Sequence, residues 1–303
     1  MKAAFEKLRE DVGPIRAWGS STDGQLGHRG QRPSLVEIRG ILRQVACGGA
    51  HTAALTDDGV LYIWGRGNEG QLGLGDLRPR AVPTLMKALG DKQAGTTVLQ
   101  AACGGAHTLA LCDNGEVYAW GLNSYGQTGL PYDASNPGST QTEYFPKVVP
   151  SLKGLGVASG DAGSTHTTML TKDGKVYTFG RPAYGRLGQL GIDPKDDEPK
   201  PRPGLVHGLD EVGRIVSVHS GCNGSNAAVT AGGEAYVWGY AQEGNLGRGD
   251  DCDDAHVPER LKPTRAMAGK KVVAVSFGGQ HTAALCVGGS GGDGTPGGKR
   301  ART

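Results

Sequence analysis

Long apolar runs, a strong net charge and a secretory leader are all missing from this chain, and each absence excludes a class of protein. No stretch of eighteen apolar residues occurs among the 303 residues, so no membrane-spanning helix is expected. The formal net charge is only +2, which gives no global field to mark a nucleic-acid or membrane binder. The opening MKAAFEKLRED is charged throughout and lacks the apolar centre of a secretory signal. The usual catalytic constellations are missing as well. Gly65-x-Gly67-x-x-Gly70 formally matches a dinucleotide fingerprint, but no helical pattern follows it and the other repeats lack the middle glycine.

What is abundant is glycine, with 53 residues, about twice the usual share. The glycines follow no three-residue period, and apolar runs such as VLYIW recur between them, which excludes collagen-like and disordered chains. They belong to a repeat. Its anchors are Trp18, Trp64, Trp120, Phe179 and Trp238, spaced by 46, 56, 59 and 59 residues, each followed by glycines six and nine positions later. A histidine lies thirteen positions before three of the anchors, as His51, His107 and His166, and Ser225 takes the fourth equivalent place.

Each unit reads as four strands. RQVACGG is the first, HTAALT the second and VLYIW the third, with Asp58-Gly59 as the hairpin signal between the last two. AVPTLMK is an outer strand, where Pro83 is tolerable only at an edge. The first unit begins midway, at PIRAWG (14–19), and the missing half stands at the other end as VVAVSFGGQHTAALCVGG (272–289). The turn glycines keep the register: Gly13 lies five before Trp18, and Gly289 lies eight after His281, as in the complete units. The expected fold is all-β, a β-propeller with five detectable blades, the closing blade shared between the N- and C-terminal segments. Residues 1–12 form an N-terminal arm, 13–289 the propeller and 290–303 a disordered, Gly-rich basic tail.

The repeat register also decides most of the chemistry. Cys47 and Cys103 share one repeat position and Cys112 and Cys286 another, so they are expected as small buried side chains rather than disulfide partners. Free thiols fit a reducing compartment. Cys252, with Asp251, Asp253 and His256, sits in an acidic loop whose spacing matches no metal-ligand pattern. The histidines are spaced by whole blades, so each is expected to hydrogen-bond the turn of its own or the next blade. No catalytic residue, metal, cofactor or small-molecule substrate is expected. Arg78 and Arg80, with Lys299, Arg300 and Arg302 in the tail, are candidates for contact with acidic histone or phosphate surfaces, against the plainer reading of solvated loop charge.

The combined pattern V-A-C-G-G-x-H-T-x-A-L, D-G-x-V-Y-x-W-G and G-Q-L-G, over about residues 14–289, resembles the regulator of chromosome condensation repeat family. GRPAYGRLGQLG (180–191), VVAVSFGGQHTAAL (272–285) and GLNSYGQTGLP (121–131) are most similar to its branch of Ran guanine-nucleotide exchange factors. That family's propeller has seven blades closed by shared chain ends, against five detectable units here. The resemblance implies a partner of the Ran-type small GTPase class and action in the nucleus and/or cytoplasm. It places Thr165, His166, Gln280 and His281 on the partner-binding face, with His51 and His107 at equivalent positions. Exchange needs no covalent chemistry, only tighter binding of the nucleotide-free GTPase. The alternative is a non-catalytic scaffold for protein or chromatin interaction. A light-sensing role like that of the ultraviolet-receptor branch is not expected, because all four tryptophans are blade anchors.

Overall fold

The computed structural model describes residues 15–28, 34–89, 95–133, 135, 141–193, 195–249, 253–262 and 267–288. The expected arm and tail, together with Cys252, lie outside the described residues. The chain is an all-β propeller with four complete blades and a two-stranded half-blade at each end. The first half-blade pairs β1 (Ile15–Ala17) with β2 (Ser34–Val36). The complete blades follow: β3 (Leu42–Cys47), β4 (His51–Thr56), β5 (Leu61–Gly65) and β6 (Arg80–Leu85), then β7 (Val98–Cys103), β8 (His107–Cys112), β9 (Val117–Leu122) and β10 (Thr142–Val148). Next come β11 (Val157–Ala162), β12 (His166–Thr171), β13 (Val176–Gly180) and β14 (Lys200–Leu205), and β15 (Ile215–Ser220), β16 (Ser225–Thr230), β17 (Ala235–Gly239) and β18 (Ala255–Arg260). The last half-blade pairs β19 (Lys271–Phe277) with β20 (Thr282–Val287). No described helix is long and apolar enough to cross a membrane.

Within each complete sheet the strands pair in chain order, all antiparallel. The outer strands carry the prolines that a central strand would not tolerate: Pro83 in β6, Pro146 in β10, Pro201 and Pro203 in β14, and Pro258 in β18.

The hydrophobic cores lie between blades. Ala53, Leu55, Leu61 and Ile63 of one blade meet Val98, Ala101, Cys103, Ala110 and Trp120 of the next. Leu109, Val117 and Ala119 face onward to Val157, Met169 and Phe179. Neighbouring residues of one second strand therefore serve two different cores. This is why HTAALT, HTLALC, HTTMLT and SNAAVT are buried along their whole length instead of alternating.

Four of the five anchors are covered by the loop of the preceding blade. Gly73, at φ +65°, lies so close over Trp120 that a Cβ there would stand 2.7 Å from the indole Nε1. The equivalent loop covers Trp64 at Gly27 and Trp238 at Gly188. Trp18 has no described loop before it and is 66% exposed, whereas Trp64, Trp120 and Trp238 are buried.

The expected sharing of one blade by the two chain ends is not seen. β1 pairs only with β2 and β20 only with β19 among the described residues, so the two halves are separate sheets. β20 has the sequence of a buried second strand, yet its residues are nearly all exposed, because among the described residues neither a third strand nor a following blade covers it. Cys47, expected buried, is exposed for a related reason: it lines an open groove of about 370 Å³ with Ile15, Trp18 and Thr52. Cys103 and Cys112 are buried as expected and Cys286 is partly so.

Gly73→Ala should lower the midpoint of urea unfolding, by about 2–4 kcal/mol of stability, since it combines a left-handed backbone with the Trp120 contact. Gly95→Ala has a similar φ but nothing within 4 Å of the added carbon, and should cost less than half as much in the same titration.

Candidate functional site

One rim of the propeller collects the turns between first and second strands and the loops after the third strands. The backbone ties them together, as Arg66 N–H donates to Ala50 O and Arg181 N–H to Thr165 O. On this rim stand the G-G-x-H-T motif, the G-Q-L-G motif and every partner-binding residue expected from the sequence except the basic loop.

The histidines are interface parts. His51 Nε2 lies 2.8 Å from Thr108 Oγ1 of the next blade, and that hydroxyl donates to Gln71 O, 2.8 Å away. Because the threonine proton is committed to the carbonyl, the ring must donate from Nε2, which leaves Nδ1 bare. The same relay runs from His107 to Thr167 to Gln127 O. His166 donates to Asn226 Oδ1 at 2.7 Å, and the Asn226 amide donates to Arg186 O. Each Nδ1 is buried without a hydrogen-bond partner, consistent with that tautomer. Burial accordingly holds the rings far below the ordinary histidine range, His51 at about 4 and His107 and His166 at about 3; Arg186 lowers His166 further.

The glycines of the motif make this packing possible. A Cβ on Gly48 would meet the His51 ring at 2.6 Å, and one on Gly49 would meet Gly105 O of the next blade at 2.7 Å. Glutamine completes the interface. The Gln44 amide both donates to Ala101 O and accepts from Ala101 N–H, and Gln100 does the same with Gly160. At the next interface the clasp is made by Asp161, which accepts from Ser220 N–H; desolvation raises its carboxyl to about 6.

The residues singled out from sequence therefore separate into two groups. His51, His107 and His166 are buried, so they shape the rim without presenting a ring to a partner. Thr165 is half-buried beside His166 and accepts from Arg186 Nη1, while Gln280 and His281 are exposed on the last half-blade. Arg80 is neutralised by Asp76 at 2.8 Å, and Arg78 is exposed in the same loop. Among the described residues, no three His, Cys, Asp or Glu side chains come together to hold a metal ion.

Sequence reasoning missed the loops after the third strands. The residue two positions after an anchor meets the residue five positions after the preceding anchor. This contact is an ion pair for Arg66 and Asp23 (2.9 Å), and a guanidinium over a ring for Arg181 and Tyr125 (4.8 Å). For Tyr240 and Tyr184 it is an edge-on aromatic pair with centroids 5.5 Å apart. The signal lay in the sequence as variation at fixed repeat positions.

Antiparallel four-stranded blades joined through buried histidine relays define the fold as a β-propeller. Residues 7–284 match the RCC1-like domain, and the chain belongs to that family. It is 37% identical over 280 residues to the human E3 ubiquitin-protein ligase HERC2, covering 90% of this chain and 5% of that protein. To the ultraviolet-B receptor UVR8 of Arabidopsis thaliana it is 33% identical over 247 residues, 80% of this chain and 52% of the receptor. Among solved structures, Prp20p of Saccharomyces cerevisiae superposes with a TM-score of 0.71 at 26% identity, covering 91% of this chain and 65% of that one. The chain thus spans about half or less of the curated relatives named.

The buried rings make stability depend on pH. Between pH 6.5 and about 4 the unfolded chain takes up protons at His51, His107 and His166 that the folded chain refuses, so stability is lost as pH falls through this window. Asp161 acts oppositely, since its folded carboxyl protonates near 6, above its unfolded value. Three groups, joined by His219, which burial also lowers, outweigh one. Urea titrations across this range should show a net uptake of about two protons on unfolding, reduced by about one in His107→Asn.

Proposed function

We propose that this propeller binds a Ran-type small GTPase through the rim bearing Thr165, Gln280 and His281 and promotes release of its nucleotide. The observation that carries the reading is the likeness to Prp20p, a protein whose binding to Gsp1p and histones was examined with its structure. The stretches 180–191 and 272–285, which resemble the exchange-factor branch, both contribute to this rim. Neutral buried histidines suit the role, because exchange draws on differential binding and not on a proton donor or nucleophile. A nuclear or cytoplasmic place of action goes with it.

A second reading has its own support. HERC2 and UVR8 carry the same domain under quite different names, which favours a scaffold that presents its rim to another protein without exchange. Arg78, exposed beside the Asp76–Arg80 pair, is then a contact for acidic histone surfaces.

Release of a fluorescent GDP analogue from Ran tests the first reading directly. Micromolar folded protein should accelerate release, and Thr165→Ala together with His281→Ala should reduce the acceleration about tenfold or more. No acceleration and no capture of nucleotide-free Ran would leave the scaffold reading in its place.

A further inference from the structure

The loop of the fourth anchor departs from the repeat in a way the interfaces do not require. In three units the residue seven positions after the anchor is glutamine, as Gln25, Gln71 and Gln127. Its side-chain oxygen accepts from the backbone N–H two residues earlier, at Asp23, Glu69 and Tyr125. After Phe179 this position is Arg186, which cannot accept that bond. Tyr184 then turns to φ +64° and its ring stands 42% exposed. A tyrosine in the left-handed region is held there against its preference.

Arg186 keeps the interface role with its backbone alone, since its carbonyl accepts from Asn226 and Trp238. Its side chain is therefore available for something else. The residue is 3% exposed; Nε donates to Ala183 O and Nη1 to Thr165 Oγ1, while Nη2 has no partner among the described residues, and Asp197 acts on the group only through space. The guanidinium lies 5.3 Å from the Tyr184 ring centre. Beside it Arg181 stacks on Tyr125 and is paired bidentately with Asp197, and Tyr240 closes the other side against Tyr184.

A buried guanidinium with no carboxylate bonded to it, Asp197 being engaged by Arg181, has donor capacity to spare. We propose that Arg186, with Tyr184, Tyr240 and Arg181 around it, is a receptor for one carboxylate side chain of a protein partner. The open Nη2 edge offers the donor, and the rings exclude water around the new bond. A single carboxylate matches the one open Nη2 edge, whereas Asp197 and the exposed Glu243 on the neighbouring loop disfavour the closely repeated charges of a nucleic-acid backbone. The inference rests on the rim being protein-binding, but not on the partner being a GTPase.

The test uses a short fluorescein-labelled peptide of alternating Glu and Gly, with its Lys counterpart and a single-stranded DNA oligonucleotide as controls. The Glu peptide should bind the wild-type chain. Arg186→Gln installs the residue that three of the other four repeats carry, so it should fold, melt no lower than wild type and bind about tenfold or more weakly. Tyr184→Gly relieves the left-handed backbone and removes the ring; it too should melt higher and bind more weakly. Arg66→Gln, on the same rim but away from the cluster, should bind as wild type does. Equal binding by wild type and Arg186→Gln, an equal loss in Arg66→Gln, or an Arg186-dependent preference for the oligonucleotide would each overturn the proposal. Peptide binding without GDP release from Ran would sink only the exchange reading; the converse would sink only this one.

Discussion

Everything in this propeller depends on one blade finishing the hydrogen bonds of another. A single threonine hydroxyl, Thr108, accepts from His51 and donates to Gln71 O, so two groups of the preceding blade are satisfied by one residue of the next. The indole of Trp120 donates to the same carbonyl. Neither blade could bury these groups by itself without leaving a donor or acceptor orphaned, at about 1–3 kcal/mol each. The apolar cores have the same requirement, for they too are made of side chains from two blades.

That constraint explains the composition. Small blades have little volume to fill, and the polar relay requires close approach of main chains, so the motif carries glycine where the His51 ring and the Gly105 carbonyl pass. It also explains why histidine can be exchanged. At Ser225 the hydroxyl turns inward to Tyr240 O and is met by the Asn245 amide, which satisfies the blade locally without a ring reaching outward.

The architecture was legible because it repeats. Strand positions, hairpin turns and proline-bearing outer strands all followed from the spacing of Trp-Gly pairs. The rim histidines were legible as residues, and their structural bond to the next blade was among the readings the spacing allowed. Their complete burial was not, since nothing in G-G-x-H-T tells which way a ring faces. The separation of the two end half-blades was hidden for a related reason: sequence complementarity says that the pieces match, but pairing also needs the arc to bring β1 and β20 together. The Arg186 loop was overlooked because it is a substitution within a motif, visible only once the bond made by Gln25, Gln71 and Gln127 is known.

The relay also has a direction. His51, His107 and His166 each reach forward to a residue 57 or 60 positions later, and no described blade histidine reaches back in the same way. Each interface is thus head-to-tail, the heterologous kind that in separate subunits builds rings or open filaments. A chain made this way behaves as a polymer of itself, with three successive blades presenting a histidine donor onward. Whole units can be gained or lost between any two blades with the joint unchanged, whereas a cut through a unit leaves an unmatched face. Blade number is therefore a freer variable in such a fold than the direction of its joints.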